Sequence, residues 1–149
     1  MRRFRFRLEP LLQYRAYLER QAQQQVAQVR SEIAACEQRI AKYEKDYADT
    51  TQELDEMVAS GIDSKRYKHY TDYIEGLGSS LEAENLKRNE LLKRLNEKQK
   101  QLARRSVDRK VLEKLKNRRR QDYYREALRN LQKETDDMLV VSKARTLSG

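Results

Sequence analysis

The chain has few of the residues that interrupt helices or build compact catalytic cores. It contains one Pro, four Gly, one Cys, one His and no Trp among 149 residues. Because Pro10 is the single proline, helix can continue unbroken along the rest of the chain. A lone cysteine excludes an internal disulfide and favours a reducing compartment. No apolar run approaches the roughly 20 residues that span a bilayer, and none follows the basic start as a signal peptide requires.

Residues for catalysis are equally scarce. The sequence lacks a G-x-x-x-x-G-K-[ST] phosphate-binding loop, and no Cys or His pair has the spacing of metal ligands. His69 has neither a nucleophile nor a cavity in this interpretation, and Cys36 lies in a row of small apolar residues. We therefore expect no enzyme, no catalytic residue, no cofactor and no metal.

Charge is abundant and unevenly placed. The formal net charge is +9, yet the first 60 residues carry ten basic and ten acidic side chains. The excess lies between Arg104 and Arg129, where eleven basic residues face four acidic ones. A positive surface of this kind suits an acidic protein, an anionic lipid surface or nucleic acid.

A heptad pattern runs along the first half of the chain. Its positions alternate four and three residues apart, and ten of the eleven are apolar. This repeat predicts a coiled-coil seam, the row of side chains that faces a partner helix. Upstream leucines continue the pattern less regularly, with Arg15 on the expected line, so we expect a change of register there. The predicted seam comprises Ala22, Val26, Val29, Ile33, Cys36, Ile40, Tyr43, Tyr47, Thr50, Leu54 and Met57.

A second seam follows a break in the pattern. Gly61 can supply the positive φ of a helix C-terminus, and Asp63 or Ser64 can cap the next helix. Eight of the eleven positions in the second seam are apolar. They are Tyr67, Tyr70, Ile74, Leu77, Leu81, Glu84, Arg88, Leu91, Leu95, Lys98 and Leu102.

Two long helices joined by a short turn become antiparallel neighbours. We therefore predict an all-α fold, a single antiparallel coiled-coil hairpin in which helix two projects beyond helix one. Helix one covers about 8–58, the turn about 59–63 and helix two about 64–141, with a frayed tail at 142–149. In this register Leu54 faces about Lys68, and Leu8 lies near Lys114.

The predicted overhang of helix two joins positive charge to an apolar stripe. The run Arg118–Arg120 lies in the overhang or just before it. No surface of the chain is left to cover the stripe, and an exposed apolar stripe beside a basic patch indicates a docking element. Pairing with a second copy, or fraying of the helix, is the alternative. The stripe consists of Tyr124, Leu128, Leu131 and Met138.

Two glycines lie inside the second predicted helix. Gly76 and Gly78 each cost about 1 kcal/mol relative to Ala. Tyr73 lies beside them and outside the seam, so we expect it to be exposed. An exposed Tyr next to Leu77 suits a protein hot spot, although it could equally cover the face of its own helix.

Three stretches resemble one family, the flagellar FliJ proteins of bacterial type III export. The segment Phe4–Leu12 is similar to the aromatic and basic lead of that family into a Leu-rich helix. The segment Gly61–Tyr67, followed by Tyr70, Tyr73, Ile74 and Leu77, resembles its turn and second-helix start. The late stretch resembles its C-terminal pattern and consists of Arg109–Lys116 followed by Arg119, Tyr123, Glu126, Arg129, Gln132 and Asp136. Together the three stretches span nearly the whole chain.

The resemblance implies a soluble component of the flagellar export apparatus. FliJ proteins form a rod-like central stalk that docks into the ring of the export ATPase (FliI) and promotes ring assembly and activity. The stalk also contacts the membrane export gate protein (FlhA) and assists recycling of export substrate chaperones. We expect a cytoplasmic location, peripheral at the inner membrane through these partners, and a protein that is monomeric on its own and does not bind nucleic acid.

The resemblance also carries over particular residues. Export-gate binding falls on Tyr73, Leu77, Ser80 and Glu84, of which Ser80 and Glu84 stand where some members have Ala and His. Binding to the ATPase ring falls on Arg118, Arg119, Tyr123, Glu126, Arg129, Gln132 and Asp136.

Three other interpretations are compatible with the sequence. The first is the equivalent stalk of a virulence type III injectisome. The second, from a different class, is a basic nucleic-acid-binding coiled coil, which Arg118–Arg120 and the tyrosines Tyr123 and Tyr124 permit. The third is a homodimeric spacer.

Overall fold

Two long helices account for most of the chain. A computed structural model describes residues 2–148, and the two terminal positions of the predicted hairpin, residues 1 and 149, lie outside that range. Helix α1 spans Glu9–Ser60 and helix α2 spans Ser64–Ser148. The described part of the chain contains no strand. The predicted all-α helical hairpin is confirmed, and α2 continues to Ser148, past the end that was predicted near residue 141.

The turn between the helices depends on two residues. Gly61 has a φ of 88°, and its N–H donates to the carbonyl oxygen of Val58 at 3.3 Å. A positive φ at this position suits glycine because it has no Cβ to clash with the following carbonyl. Asp63 caps α2, since its Oδ1 accepts the backbone N–H of Arg66 at 2.7 Å. The cap is therefore Asp63, one of the two candidates in the sequence.

Contacts divide the chain into two compact units. Unit 1 combines the first 20 residues with those from Arg104 onward, and unit 2 is Gln21–Ala103. The helices are antiparallel inside each unit, as the order of their contacts shows. In unit 2 the Tyr70 hydroxyl donates to Glu53, and Lys98 donates to Gln25. In unit 1 the corresponding pair is Glu9 with Lys116.

The core of unit 2 follows the predicted seams. A buried cluster on the α1 side is completed by Leu91 on α2, and Leu81 and Leu95 pack against it. Tyr47 and Tyr67 are exceptions, because both were predicted in the seam and both are exposed. A tyrosine at the edge of a helix pair keeps its polar tip in water, so the heptad position does not bury it. The buried α1 members are Val29, Ile33, Cys36 and Ile40.

The core of unit 1 is built from both ends of the chain. Phe6 and Leu12 are buried with Leu112, while Leu8 and Leu115 pack against them. The pairing of the start of α1 with this part of α2 confirms the predicted register.

The expected change of register upstream of Ala22 is wrong. Leu12, Arg15 and Glu19 keep the same alternation of four and three residues, and each is buried or half-buried. Arg15 and Glu19 occupy seam positions because α2 supplies partners for them. Arg15 donates to the carbonyl oxygen of Asp108 at 3.0 Å, and Glu19 accepts from Arg109.

Within residues 2–148, neither α1 nor α2 has a stretch apolar enough to cross a bilayer.

Candidate docking surfaces

The end of α2 forms an uncovered surface in unit 1. Every described residue from Leu128 to Ser148 is exposed. Leu128 is 63% exposed and Met138 is 75% exposed, so the stripe predicted to lack a cover does lack one in this structure. Leu139–Val141 are exposed as well, although they were not predicted to belong to the stripe. The sequence feature that could have indicated them is the run of apolar residues that starts at Met138, which does not fit a heptad.

The residues that the family resemblance assigns to ring binding lie on this end of α2, and one of them differs from the others in its solvent exposure. Tyr123 is half-buried, whereas the other six are exposed. A shallow depression brings Tyr123 and Glu126 together with Leu131, and it does not include the remaining members. The six exposed residues are Arg118, Arg119, Glu126, Arg129, Gln132 and Asp136.

Tyr123 is held by the N-terminal segment, residues 2–8, which we call the strap. The Tyr123 hydroxyl donates to the carbonyl oxygen of Arg2. Its ring packs on Phe4 with centroids 5.7 Å apart, and the Arg120 guanidinium lies 6.0 Å from the centre of the Phe4 ring. Tyr123 therefore positions the strap, a role that the sequence analysis missed. The sequence feature that could have indicated this role is the alternation of Arg and Phe over residues 3–7.

Charged pairs fasten α1 to α2 in unit 1. Nζ of Lys116 lies 2.9 Å from a carboxylate oxygen of Glu9, and its hydrogen bond lowers the pKa of Glu9. Nε of Arg109 lies 2.6 Å from Glu19, and a second nitrogen of Arg109 lies 2.7 Å from Glu113. The hydrogen bond from Arg109 to Glu19 is the main cause that raises the pKa of this guanidinium, so Arg109 is a permanent cation.

A groove lies along one flank of unit 2. The α2 wall of the groove includes three of the four residues carried over for gate binding: Tyr73, Leu77 and Ser80. Tyr73 is 54% exposed, but Leu77 is only 6% exposed because it packs in the seam. Tyr73 is therefore the member that offers most surface to a partner, and Leu77 forms the base beneath it. The sequence analysis missed the α1 wall, formed by Arg39, Lys42, Tyr43 and Asp46.

Glu84, the fourth residue that the family resemblance assigns to gate binding, bonds to two residues of α1. Its Oε1 lies 3.1 Å from Nε of Arg39, and its Oε2 lies 3.2 Å from the sulfur of Cys36. The hydrogen bond from Arg39, followed by that from Cys36, lowers the pKa of Glu84. Burial, followed by the hydrogen bond to Glu84, raises the pKa of the Cys36 thiol. Glu84 therefore fixes the side chain of Arg39, which lines the groove.

A second depression lies on another part of the unit 2 surface. It is lined by Gly78, whereas Gly76 lines the groove beside Tyr73. A Cβ added at either glycine would meet no atom within 4 Å. The two helical glycines therefore leave open space in two separate depressions.

The remaining candidate residue for catalysis, His69, lines a depression of unit 2 with Glu53 and Tyr70. His69 is exposed near the start of α2. No group of three or more His, Cys, Asp or Glu side chains between residues 2 and 148 is arranged to hold a metal ion.

The fold and its surfaces define an α-helical hairpin protein whose candidate sites are exposed helix faces. A family model described as the flagellar FliJ protein matches residues 4–146, and the chain belongs to that family. A solved structure from Chlamydia trachomatis, described as a YscO homolog, is 23% identical with a TM-score of 0.51. The match covers 91% of this chain and 93% of that one, and it shows a shared fold. A comparison with curated proteins gives no match.

Proposed function

We propose that this chain is a non-enzymatic stalk of the flagellar type III export apparatus. It docks into the ring of the export ATPase through the uncovered end of α2 and promotes ring assembly and activity. Membership of the FliJ family supports this function. The structural observation that carries it is the apolar stripe beside arginines in unit 1, which the rest of the unit leaves exposed.

A single helix suits a ring because it is narrow. An α-helix with its side chains is about 10–12 Å across, and the roughly 25 residues from Tyr124 to Ser148 extend about 37 Å. A globular domain could not enter a pore of that width. Leu128 and Leu131 would supply the apolar contacts inside the pore, and Arg118 and Arg129 would be attracted to acidic residues at its wall.

A second contact, with the membrane export gate, belongs to the groove of unit 2. Tyr73 offers the exposed aromatic ring that a protein hot spot needs, and Leu77 holds the base of the groove. Ser80 lines the same wall, and Glu84 acts through its bonds to α1. Through these partners the protein acts at the cytoplasmic face of the inner membrane and assists chaperones of export substrates.

The ATPase contact is tested by hydrolysis. The export ATPase of the same organism is assayed when dilute, so that ring assembly limits the rate, with and without the full-length protein. We expect a clear rise in rate, most of which is lost in the double variant Leu128→Glu/Leu131→Glu. The matched control is Leu86→Glu, since Leu86 is 66% exposed and lies in unit 2. A wild-type protein that leaves the rate unchanged would overturn the proposed function.

The gate contact is tested by direct binding to the cytoplasmic part of the gate. Tyr73→Ala should weaken binding roughly tenfold or more, as loss of an aromatic hot spot does. Tyr67→Ala is the control, because Tyr67 is 47% exposed on the same helix. If Tyr73→Ala also removed ATPase stimulation, the idea of two separate contacts would be wrong.

A virulence injectisome stalk is the nearest alternative function. The family model that matches is the flagellar one, and it covers both ends of the hairpin. This observation favours the flagellar branch.

A further inference from the structure

The strap carries a row of arginines that the proposed function does not use. Arg2, Arg3, Arg5 and Arg7 are exposed. Within residues 2–148, none of the four lies within ion-pair distance of a carboxylate. The strap therefore presents four positive charges that form no ion pair within the described chain, and Arg2 is the one that lines a depression with Glu126 and Glu134.

The backbone of the strap explains how the charges are presented. Residues 2–6 form neither helix nor turn, and in an extended chain alternate side chains point to opposite sides. Phe6 is buried against Leu12 and Leu112, and Phe4 packs on the ring of Tyr123. Because the phenylalanines face the protein, Arg3 and Arg5 on the opposite side of the strap face solvent.

Contacts with α2 hold the strap in place. The Tyr123 hydroxyl bonds to the Arg2 carbonyl oxygen, and Arg120 lies over the ring of Phe4. A cation over an aromatic face is attracted by the ring quadrupole. These contacts place the strap beside Arg120 of the α2 run Arg118–Arg120, so two segments of unit 1 combine into a surface on which arginines outnumber carboxylates. The carboxylates are Glu126 and Glu134, which line a depression with Arg2, and Glu9, which interacts with Arg120.

We propose that the strap arginines and Arg118–Arg120 form one docking surface for a carboxylate-rich protein surface. The inference rests on the proposed function in taking the export ATPase as the partner. Arginine binds carboxylates through two parallel hydrogen bonds, which lysine cannot form, and all seven cations of the surface are arginines.

Two observations favour a protein partner over a lipid surface. The phenylalanines of the strap are turned inward, so the strap has no aromatic ring to insert into a bilayer. The apolar stripe begins at Tyr124, about one helical turn beyond Arg120, so one partner with an apolar pocket and an acidic rim could cover both. Charges at such a rim act mainly on the association rate.

The first test measures the association rate of the full-length protein with the ATPase by stopped flow. We expect Arg3→Ser/Arg5→Ser/Arg7→Ser to slow association roughly tenfold or more at low salt, with convergence on wild type at high salt. The control variant removes three exposed cations of unit 2, and so the same charge, and should stay near the wild-type rate. Equal slowing by both variants would overturn the proposal, since total charge would then suffice. The control is Arg30→Ser/Lys45→Ser/Lys93→Ser.

A second variant tests whether the strap must be held in place. Phe4→Ala keeps every charge and removes the ring that lies between Tyr123 and Arg120. We expect a several-fold slower association with the same net charge. A wild-type rate would show that Phe4 and Tyr123 do not position the arginines.

Two probes separate this proposal from the function on which it rests. A fluorescent oligo-glutamate peptide and vesicles of phosphatidylcholine with phosphatidylglycerol are titrated with wild type, the strap variant and the control. Binding of the peptide that is lost only in the strap variant supports the proposal, even if wild type fails to bind the ATPase and the proposed function falls. Strap-dependent binding to the vesicles alone, or no strap dependence with either probe, would overturn it.

Discussion

The thiol of Cys36 on α1 meets the carboxylate of Glu84 on α2 at 3.2 Å, and Arg39 holds the other oxygen of the same carboxylate at 3.1 Å. The heptad pattern places Glu84 at a seam position, where an unpaired charge would be costly. Cys36 and Arg39 lie about one helical turn apart on α1, and both bond to the Glu84 carboxylate. The polar contact is thus part of the helix pairing in unit 2.

Cys36 should be almost unreactive in the folded protein. It is 0% exposed, and burial raises the pKa of its thiol, so little thiolate is available. We expect labelling by Ellman's reagent or iodoacetamide at pH 8 to be at least a hundredfold slower than in urea-unfolded protein. Because labelling requires opening of the seam, Leu91→Ala, which removes a neighbour in the same core cluster, should speed it. Equally fast labelling of folded and unfolded protein would show that the seam is open.

The carboxylate of Glu84 should make the free energy of unfolding depend on pH in the acid range. Its pKa is lowered in the folded state, chiefly by the hydrogen bond from Arg39. The stabilisation is therefore present above the ordinary glutamate pKa of about 4.3 and is lost as the pH falls through the lowered value. Glu84→Gln should unfold at lower urea than wild type at pH 7, and the gap should close as the pH falls below the ordinary glutamate range. Glu82→Gln, an exposed neighbour on α2, is the control and should show no gap.

The pair formed by Glu19 and Arg109 should matter more than a surface ion pair. Their side chains are 12% and 22% exposed, whereas Glu113, the second partner of Arg109, is 48% exposed. Glu19→Ala leaves Arg109 partly buried without its closer partner. The urea midpoint of unfolding should therefore fall several-fold more in Glu19→Ala than in Glu113→Ala. Replacing both Glu19 and Arg109 by Leu should recover most of the loss, because apolar residues suit the seam. If the double variant were as unstable as Glu19→Ala, the two positions would not act as a pair.

Most of the fold could be predicted from the sequence because it depends on local rules. The spacing of the apolar residues from Ala22 onward predicts the helices, and Gly61 and Asp63 predict the turn. The predicted change of register failed at Arg15 and Glu19. A heptad pattern expects apolar residues, so charged residues at seam positions look like interruptions of the repeat. Here partners that are distant in the sequence bind these charged side chains within the seam.

The candidate surfaces were less predictable, because they too depend on contacts between residues that are distant in the sequence. Tyr73 and the stripe that includes Leu128 are exposed as expected, since exposure follows from helical spacing. The α1 wall of the groove and the packing of Phe4 on Tyr123 depend on contacts between residues far apart in the chain. No period in the sequence encodes such contacts.

The three internal glycines provide a last prediction, in which one substitution has opposite effects. At Gly76 and Gly78 the backbone is helical and a Cβ would meet no atom within 4 Å, so Ala should stabilise α2 by about 1 kcal/mol at each position. At Gly61 a Cβ also meets nothing, but the φ of 88° strains any L-residue, so Ala should destabilise by about 1–2 kcal/mol. Urea denaturation of the three single variants checks the signs.

Larger substitutions at two of these glycines distinguish the two glycine-lined depressions of unit 2. Gly76 lines the groove beside Tyr73, whereas Gly78 lines the other depression. Ala fills little space, so the larger Gly76→Leu and Gly78→Leu are compared for binding to the export gate. If the groove is the docking site, only Gly76→Leu should weaken binding, although both variants keep a folded helix. Weakening by Gly78→Leu alone would place the contact in the other depression, and the groove would then be a consequence of helix packing.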